Sequence, residues 1–172
     1  MVIKMEKKKL ELRMRQLELM VHYHFNQIAW LSKAMEANLV EIPGEGKNHK
    51  EYSNEALATV GDTILKSVIA DKLYKEGKHV KGVITSEKSD VENNDAMYRL
   101  VNEYKVNGMR IIDFAYKDNY FYDESPDNDK VSNPQHTPYI EAIIAAVYYD
   151  SNYDTTRRWI LKFLLPLLEK YK

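Results

Sequence analysis

Between Asn54 and Tyr74 the sequence NEALATVGDTILKSVIADKLY repeats its apolar residues at helical spacing, yet Gly61-Asp62 interrupts the repeat at its centre. A glycine inside a helix costs roughly 1 kcal/mol relative to alanine. A carboxylate on a buried face costs more still unless it is paired, hydrogen-bonded or bound to a metal. So either a neighbouring element needs the room that glycine leaves, or the carboxylate has a chemical role. A second stretch, YIEAIIAAVYYD from Tyr139 to Asp150, is apolar on nearly all sides and carries Glu141. It is expected to be a buried helix, with Thr137 capping it and Pro138 at its first position, where proline is favoured.

Two helices that must lie in the core therefore carry one conspicuous acid each, Asp62 and Glu141. Two readings stand side by side. Lys66, one turn after Asp62, is placed to pair with it as an i,i+4 partner. Alternatively, both acids are metal ligands. Glu55 lies two turns before Asp62 on the same face. A column of acids facing a single acid suits magnesium, which takes hard oxygen ligands and keeps several waters. On that reading Gly61 lets the facing helix come close enough for Glu141 and Asp62 to share an ion.

With 172 residues, 44% hydrophobic and 30% charged, the chain is expected to form a single globular domain over residues 1–172. It has no cysteine, which excludes disulfides and thiolate metal sites. The five histidines show no H-E-x-x-H-like spacing. No apolar run approaches the roughly 18 residues of a membrane span, and the lysine-bearing N-terminus lacks the apolar core of a signal peptide. A cytoplasmic protein is the expectation. The net charge of −1 gives no general attraction to nucleic acid, so any binding relies on local patches or bound cations.

The remaining pattern is helical. Residues 4–20 hold six basic and three acidic residues among leucines and methionines, which predicts a positively charged first helix. A second helix is expected from about Asn26 to Ala37, followed by a loop at EIPGEGKNHKEYS. Ser53 is the expected N-cap of the long helix and Gly77 its stop. Thr85 is expected to cap a further helix that ends at Asn107-Gly108, and MRIIDFAY to be a short strand or a helical turn. The acidic stretch KDNYFYDESPDNDKVSNPQ reads as a surface loop without the glycine or spacing of a calcium site. A last amphipathic helix is kinked or shortened at Pro166. The fold class is all-α.

These segments resemble the ribonuclease III domain family. NEALATVGDTIL is similar to its signature N-E-R-L-E-F-L-G-D-A-V-L, and IEAIIAAVYYDS to its E-A-(I/L)-I-G-A-(I/V)-Y-L-D. GVITSEKSDVENN, with Thr85 and Lys88, resembles a later helix of the family, and LELMVHYHFNQIAWLSKAM its opening helices. The resemblance implies a homodimeric all-α endonuclease in which acids hold Mg2+, with Mn2+ as a substitute. Its substrate would be double-stranded or structured RNA, such as precursor stems, left with 5′-phosphates and short 3′ overhangs.

Carried over by position, Asp62 and Glu141 are the catalytic, metal-holding acids and Glu55 is a supporting one. Two other acidic positions of the family are Ala58 and Pro138 here; ALATVGD resembles the standalone Mini-III subgroup, which has ALA before a similar G-D and manages with fewer acids. Lys66 is an added cation beside Asp62, and His136 a possible aid in placing water. Lys78, Lys81 and Lys88 are candidates for RNA-backbone contacts. The chain ends directly after the last helix, so an appended RNA-binding domain is not expected and affinity for duplex should depend strongly on salt. The alternative is a domain that kept the fold as a noncatalytic RNA-binding or assembly module.

Overall fold

A computed structural model describes residues 6–91, 94–118, 120–122 and 138–172. Helix α1 (Lys7–Met20) leads into the short α2 (Ala29–Met35), three residues later than the pattern suggested. The expected loop after α2 is in part a hairpin: β1 (Leu39–Ile42) pairs antiparallel with β2 (His49–Tyr52). Its Pro-Gly-Glu-Gly centre is the turn, and the flanking residues extend into strands. Helix α3 (Glu55–Lys75) follows. Next come α4 (Lys81–Val91) and α5 (Asn94–Glu103), where one helix starting at Thr85 was expected. Asn107-Gly108 does not stop that helix; it forms the turn of a second hairpin, β3 (Lys105–Val106) with β4 (Met109–Arg110). MRIIDFAY is strand and helical turn in succession: β4, a 3-10 turn at Ile111–Phe114, then β5 (Tyr116–Lys117), which pairs with β6 (Tyr120–Phe121).

Helix α6 (Tyr139–Asp150) is buried along most of its length, with Ile140, Ile143, Ile144 and Val147 all in the core. Each such side chain contributes roughly 1.5–3 kcal/mol of gross burial energy. The chain closes with α7 (Tyr153–Trp159), a π-helical turn at Ile160–Leu164 and α8 (Leu165–Lys170). Pro166 explains this sequence of elements. It donates no hydrogen bond and its ring crowds the carbonyl four residues back, so the helix widens to i→i+5 bonding just before it, with Leu165 N–H donating to Ile160 O.

The two ends of α3 are held differently, and no side chain caps the first. Ser53 does not cap it. Its hydroxyl donates to Glu36 O and accepts from Asn38 N–H, which ties the foot of the hairpin together. The preceding position of the helix is Asn54, fully buried, whose amide donates to Ala34 O and anchors α3 to α2. At the other end Gly77 N–H donates to Tyr74 O and Lys78 N–H to Leu73 O, a paired closure that needs the left-handed φ of +91° at Gly77.

Helix α3 packs more extensively on α6 than any other pair of described elements, and α6 is flanked on another side by α2. The contact is close because Gly61 faces the backbone of α6. A Cβ there would stand 1.7 Å from the Glu141 carbonyl oxygen. The glycine is thus required by its neighbour. The dominance of helices bears out the all-α expectation, with three small hairpins as additions. Among the described residues, no helix is long and apolar enough to cross a membrane.

Candidate active site

Of the three acidic residues of α3, Glu55 and Asp62 lie seven apart with Ala58 and Thr59 between them on the same face, while Asp71 lies further along and pairs with Lys75. Glu141 lies in the first turn of α6, where the partial positive charge of a helix N-terminus favours a carboxylate. The Gly61 contact brings that turn against the middle of α3. The result is an open depression of about 440 Å³ lined by Glu51, Glu55, Ala58, Thr59, Asp62 and Glu141, with Ala56 at its edge.

The acids are not sealed in the core, as the sequence pattern suggested. The Asp62 side chain is 32% exposed, and Glu141 is half-buried. Apolar neighbours on the same helices, such as Ile64, Leu65, Ile140 and Ala142, turn inward and leave the carboxylates at the rim. Their desolvation cost is correspondingly small.

Asp62 is held by Lys66, whose ammonium lies 2.8 Å from Oδ2. Glu55 turns back toward the hairpin and accepts from Tyr52 N–H at 3.2 Å. Burial pushes the phenol of Tyr139, which opens α6, above its ordinary range. Among the described residues, no group of three or more histidine and acidic side chains is arranged to hold a metal ion. The donors fit an ion that keeps most of its waters. Asp62 and Glu141 supply hard oxygens at one open depression, which suits magnesium bound through one or two carboxylates. They do not fit a closed cage.

Asp62, Glu141 and Glu55 thus come together, with Lys66 attached to Asp62. The three candidate RNA-binding lysines line no part of this depression. Lys78 donates to Glu87 at 2.6 Å, which raises its pKa, and lies in a separate groove of about 530 Å³ between α3, α4 and α8. That groove mixes Lys72, Lys78 and Lys172 with Glu76, Glu87, Asp90 and Glu169, so it is no clean anion site. Lys81 opens α4 and is exposed, and Lys88 sits half-buried near its end. His136 lies outside the described residues.

Sequence reasoning missed Glu51. It reaches the depression from β2, in a segment read as loop, and accepts from His49 Nε2 at 3.2 Å. The available signal was a glycine-rich turn flanked by Val40, Ile42 and Tyr52, a hairpin pattern.

Residues 55–152 match the sequence profile of the Ribonuclease III domain. Ribonuclease 3 of Acinetobacter baylyi is 28% identical over 152 residues, covering 87% of this chain and 59% of that protein. Ribonuclease 3 of Cupriavidus taiwanensis is 27% identical over 126 residues, covering 72% of this chain and 46% of the relative. The chain therefore spans about half the length of the curated relatives it matches. Among solved structures, the nuclease domain of Ribonuclease III from Campylobacter jejuni superposes with a TM-score of 0.65 at 22% identity, covering 92% of this chain and 97% of that one. At that identity the likeness establishes the shared fold.

Proposed function

The chain belongs to the ribonuclease III domain family, and from that premise we propose that it is a metal-dependent endonuclease acting on double-stranded or structured RNA. The observation that carries this reading is the Gly61–Glu141 contact, which sets Glu141 beside Asp62 at one open, acid-lined depression. We place the working protein in the cytoplasm as a homodimer. The solved neighbour from Campylobacter jejuni is described as having a region involved in dimer formation, which supports the dimer.

Asp62 and Glu141 would hold Mg2+, with Mn2+ able to replace it. When bound, such an ion activates water and stabilises charge developing on a phosphate. The chain's own part is to orient. The α3–α6 contact fixes the two carboxylates relative to each other, and Glu55 braces the first turn of α3 against the hairpin. Ala58 and Pro138 contribute no side-chain oxygen, so two acids do the holding. Duplex RNA would be recognised by its A-form shape, through phosphates and 2′-hydroxyls. Lys81 at the exposed start of α4 is the best placed of the three candidate lysines to meet a phosphate, and His136 remains a candidate for placing water.

A noncatalytic RNA-binding module is the second reading. It is favoured by one observation: Asp62 is already neutralised by Lys66 at 2.8 Å. End-labelled duplex RNA incubated with the protein and Mg2+, Mn2+ or EDTA separates the two. Discrete products that require the metal support the endonuclease; retarded but intact RNA under every condition supports the binding module.

A further inference from the structure

We propose that Lys66 is a built-in counter-ion that competes with the metal for Asp62 and moves onto an RNA phosphate when substrate binds, so that metal and RNA binding reinforce each other. This coupling rests on the metal-dependent site proposed above and assigns it a mode of loading.

The geometry points to competition first. The Lys66 ammonium lies 2.8 Å from Asp62 Oδ2, a position that a cation sharing that oxygen must also claim. The depression carries four carboxylates, Glu51, Glu55, Asp62 and Glu141, so a phosphate approaching it meets net negative charge. The departures at Ala58 and Pro138 remove acids from the same neighbourhood, which leaves the ammonium one turn along α3 as positive charge the chain itself brings to Asp62. Release is the second step. Both side chains reach solvent, Lys66 at 46% exposed and Asp62 at 32%, so the pair can open without disturbing the core. Lysine is a compact point charge on a flexible stem with three donors, and it can exchange a carboxylate for a phosphate oxygen without moving the backbone. A phosphate that draws Lys66 away frees Asp62 for the ion, and an ion on Asp62 frees Lys66 for the phosphate. By linkage the two effects are equal. Because the pair is substantially exposed, the coupling is small, roughly 2- to 5-fold.

The test compares the parent with Lys66→Met, which keeps the stem and removes the charge, and with Lys66→Arg. Mn2+ affinity is measured without RNA, from the electron paramagnetic resonance signal of the free ion. Affinity for a fluorescein-labelled RNA duplex is measured with and without Mn2+, by stopped-flow anisotropy read before turnover. Expected are Mn2+ binding about 2- to 5-fold tighter in Lys66→Met, near-parental binding in Lys66→Arg, and a Mn2+-dependent gain in RNA affinity that shrinks in Lys66→Met by the same factor. Unchanged or weaker Mn2+ binding in Lys66→Met overturns the proposal, and so does an unchanged gain in RNA affinity. Neither measurement needs cleavage, so a parent that binds both ligands but cuts nothing refutes the endonuclease reading alone.

Discussion

Gly61 and Glu141 meet backbone to backbone: a Cβ on Gly61 would stand 1.7 Å from the Glu141 carbonyl oxygen, closer than any real Cβ contact. The neighbour is a helix backbone, which cannot rotate away as a flexible side chain would. Gly61→Ala must therefore push α6 off α3, the most extensive helix pair described. The expected cost is about 3 kcal/mol or more, read as a shift in the urea midpoint. Thr63→Ala, two residues on and exposed, should stay within about 0.5 kcal/mol.

Glu18 is a buried acid with a structural task. It accepts from buried Phe25 N–H at 2.8 Å and from Arg15 Nη1 at 3.1 Å, closing the turn that follows α1. Glu18→Ala strands the Phe25 amide, and the expected loss is roughly 2–4 kcal/mol, at the low end because Arg15 remains partly solvated. Equilibrium denaturation measures it. A loss below the level of an ordinary surface substitution would show that the turn holds without the carboxylate.

Asp150, at the end of α6, ties that helix to the segment 23–27. Its carboxylate accepts from Tyr23 OH at 2.7 Å, Asn26 N–H at 2.9 Å and Gln27 N–H at 2.7 Å. A carboxylate is unfavourable at a helix C-terminus, so these bonds account for its presence. Asp150→Ala should cost about 2 kcal/mol and increase amide exchange around residues 23–27 before it affects α3. Uniformly faster exchange across the core would contradict that local role.

Alkaline pH should act on the same joint. Burial first, then the hydrogen bond to Asp150, pushes the Tyr23 phenol up to about 12. The folded value lies above the ordinary one near 10, so the associated stability is fully present below about pH 10 and is lost as pH rises toward 12. Burial also raises Tyr116 and Tyr139. Tyr23→Phe should thus flatten the fall in stability between about pH 10 and 12 only in part. Denaturant midpoints at half-unit steps of pH give the slope, and an unaltered slope would remove Tyr23 from the account.

How much of this was legible beforehand follows from the range of each interaction. The helical repeat around Gly61 and the all-round apolar α6 were readable, because helix period and burial are written locally. The requirement for glycine was readable as a pair of alternatives, and the approach of α6 decides for the neighbour. Where the reading failed, the cause was non-local. Ser53 looks like a cap, but its hydroxyl serves the hairpin foot through Glu36 and Asn38. Thr85 looks like a helix start, yet α4 already begins at Lys81. Glu51 enters the depression only through the pairing of β1 with β2, and Asp150 acquires its role from residues more than a hundred positions away. The acids were expected to be buried because their neighbours are apolar; which face of each helix turns outward is settled only by packing.

The central claim is that Asp62 and Glu141 act as one metal-holding unit that cleaves RNA. Single-turnover cleavage of end-labelled duplex RNA in Mg2+ by the parent, Asp62→Asn, Glu141→Gln and the double variant tests it most directly, with folding of each confirmed by its thermal transition. The account predicts EDTA-sensitive cleavage by the parent, lost on the order of 10³-fold or more in each single variant, with the double variant no slower than the singles, as for residues that work as a unit. An inactive parent, or cleavage that persists in Glu141→Gln, would contradict it.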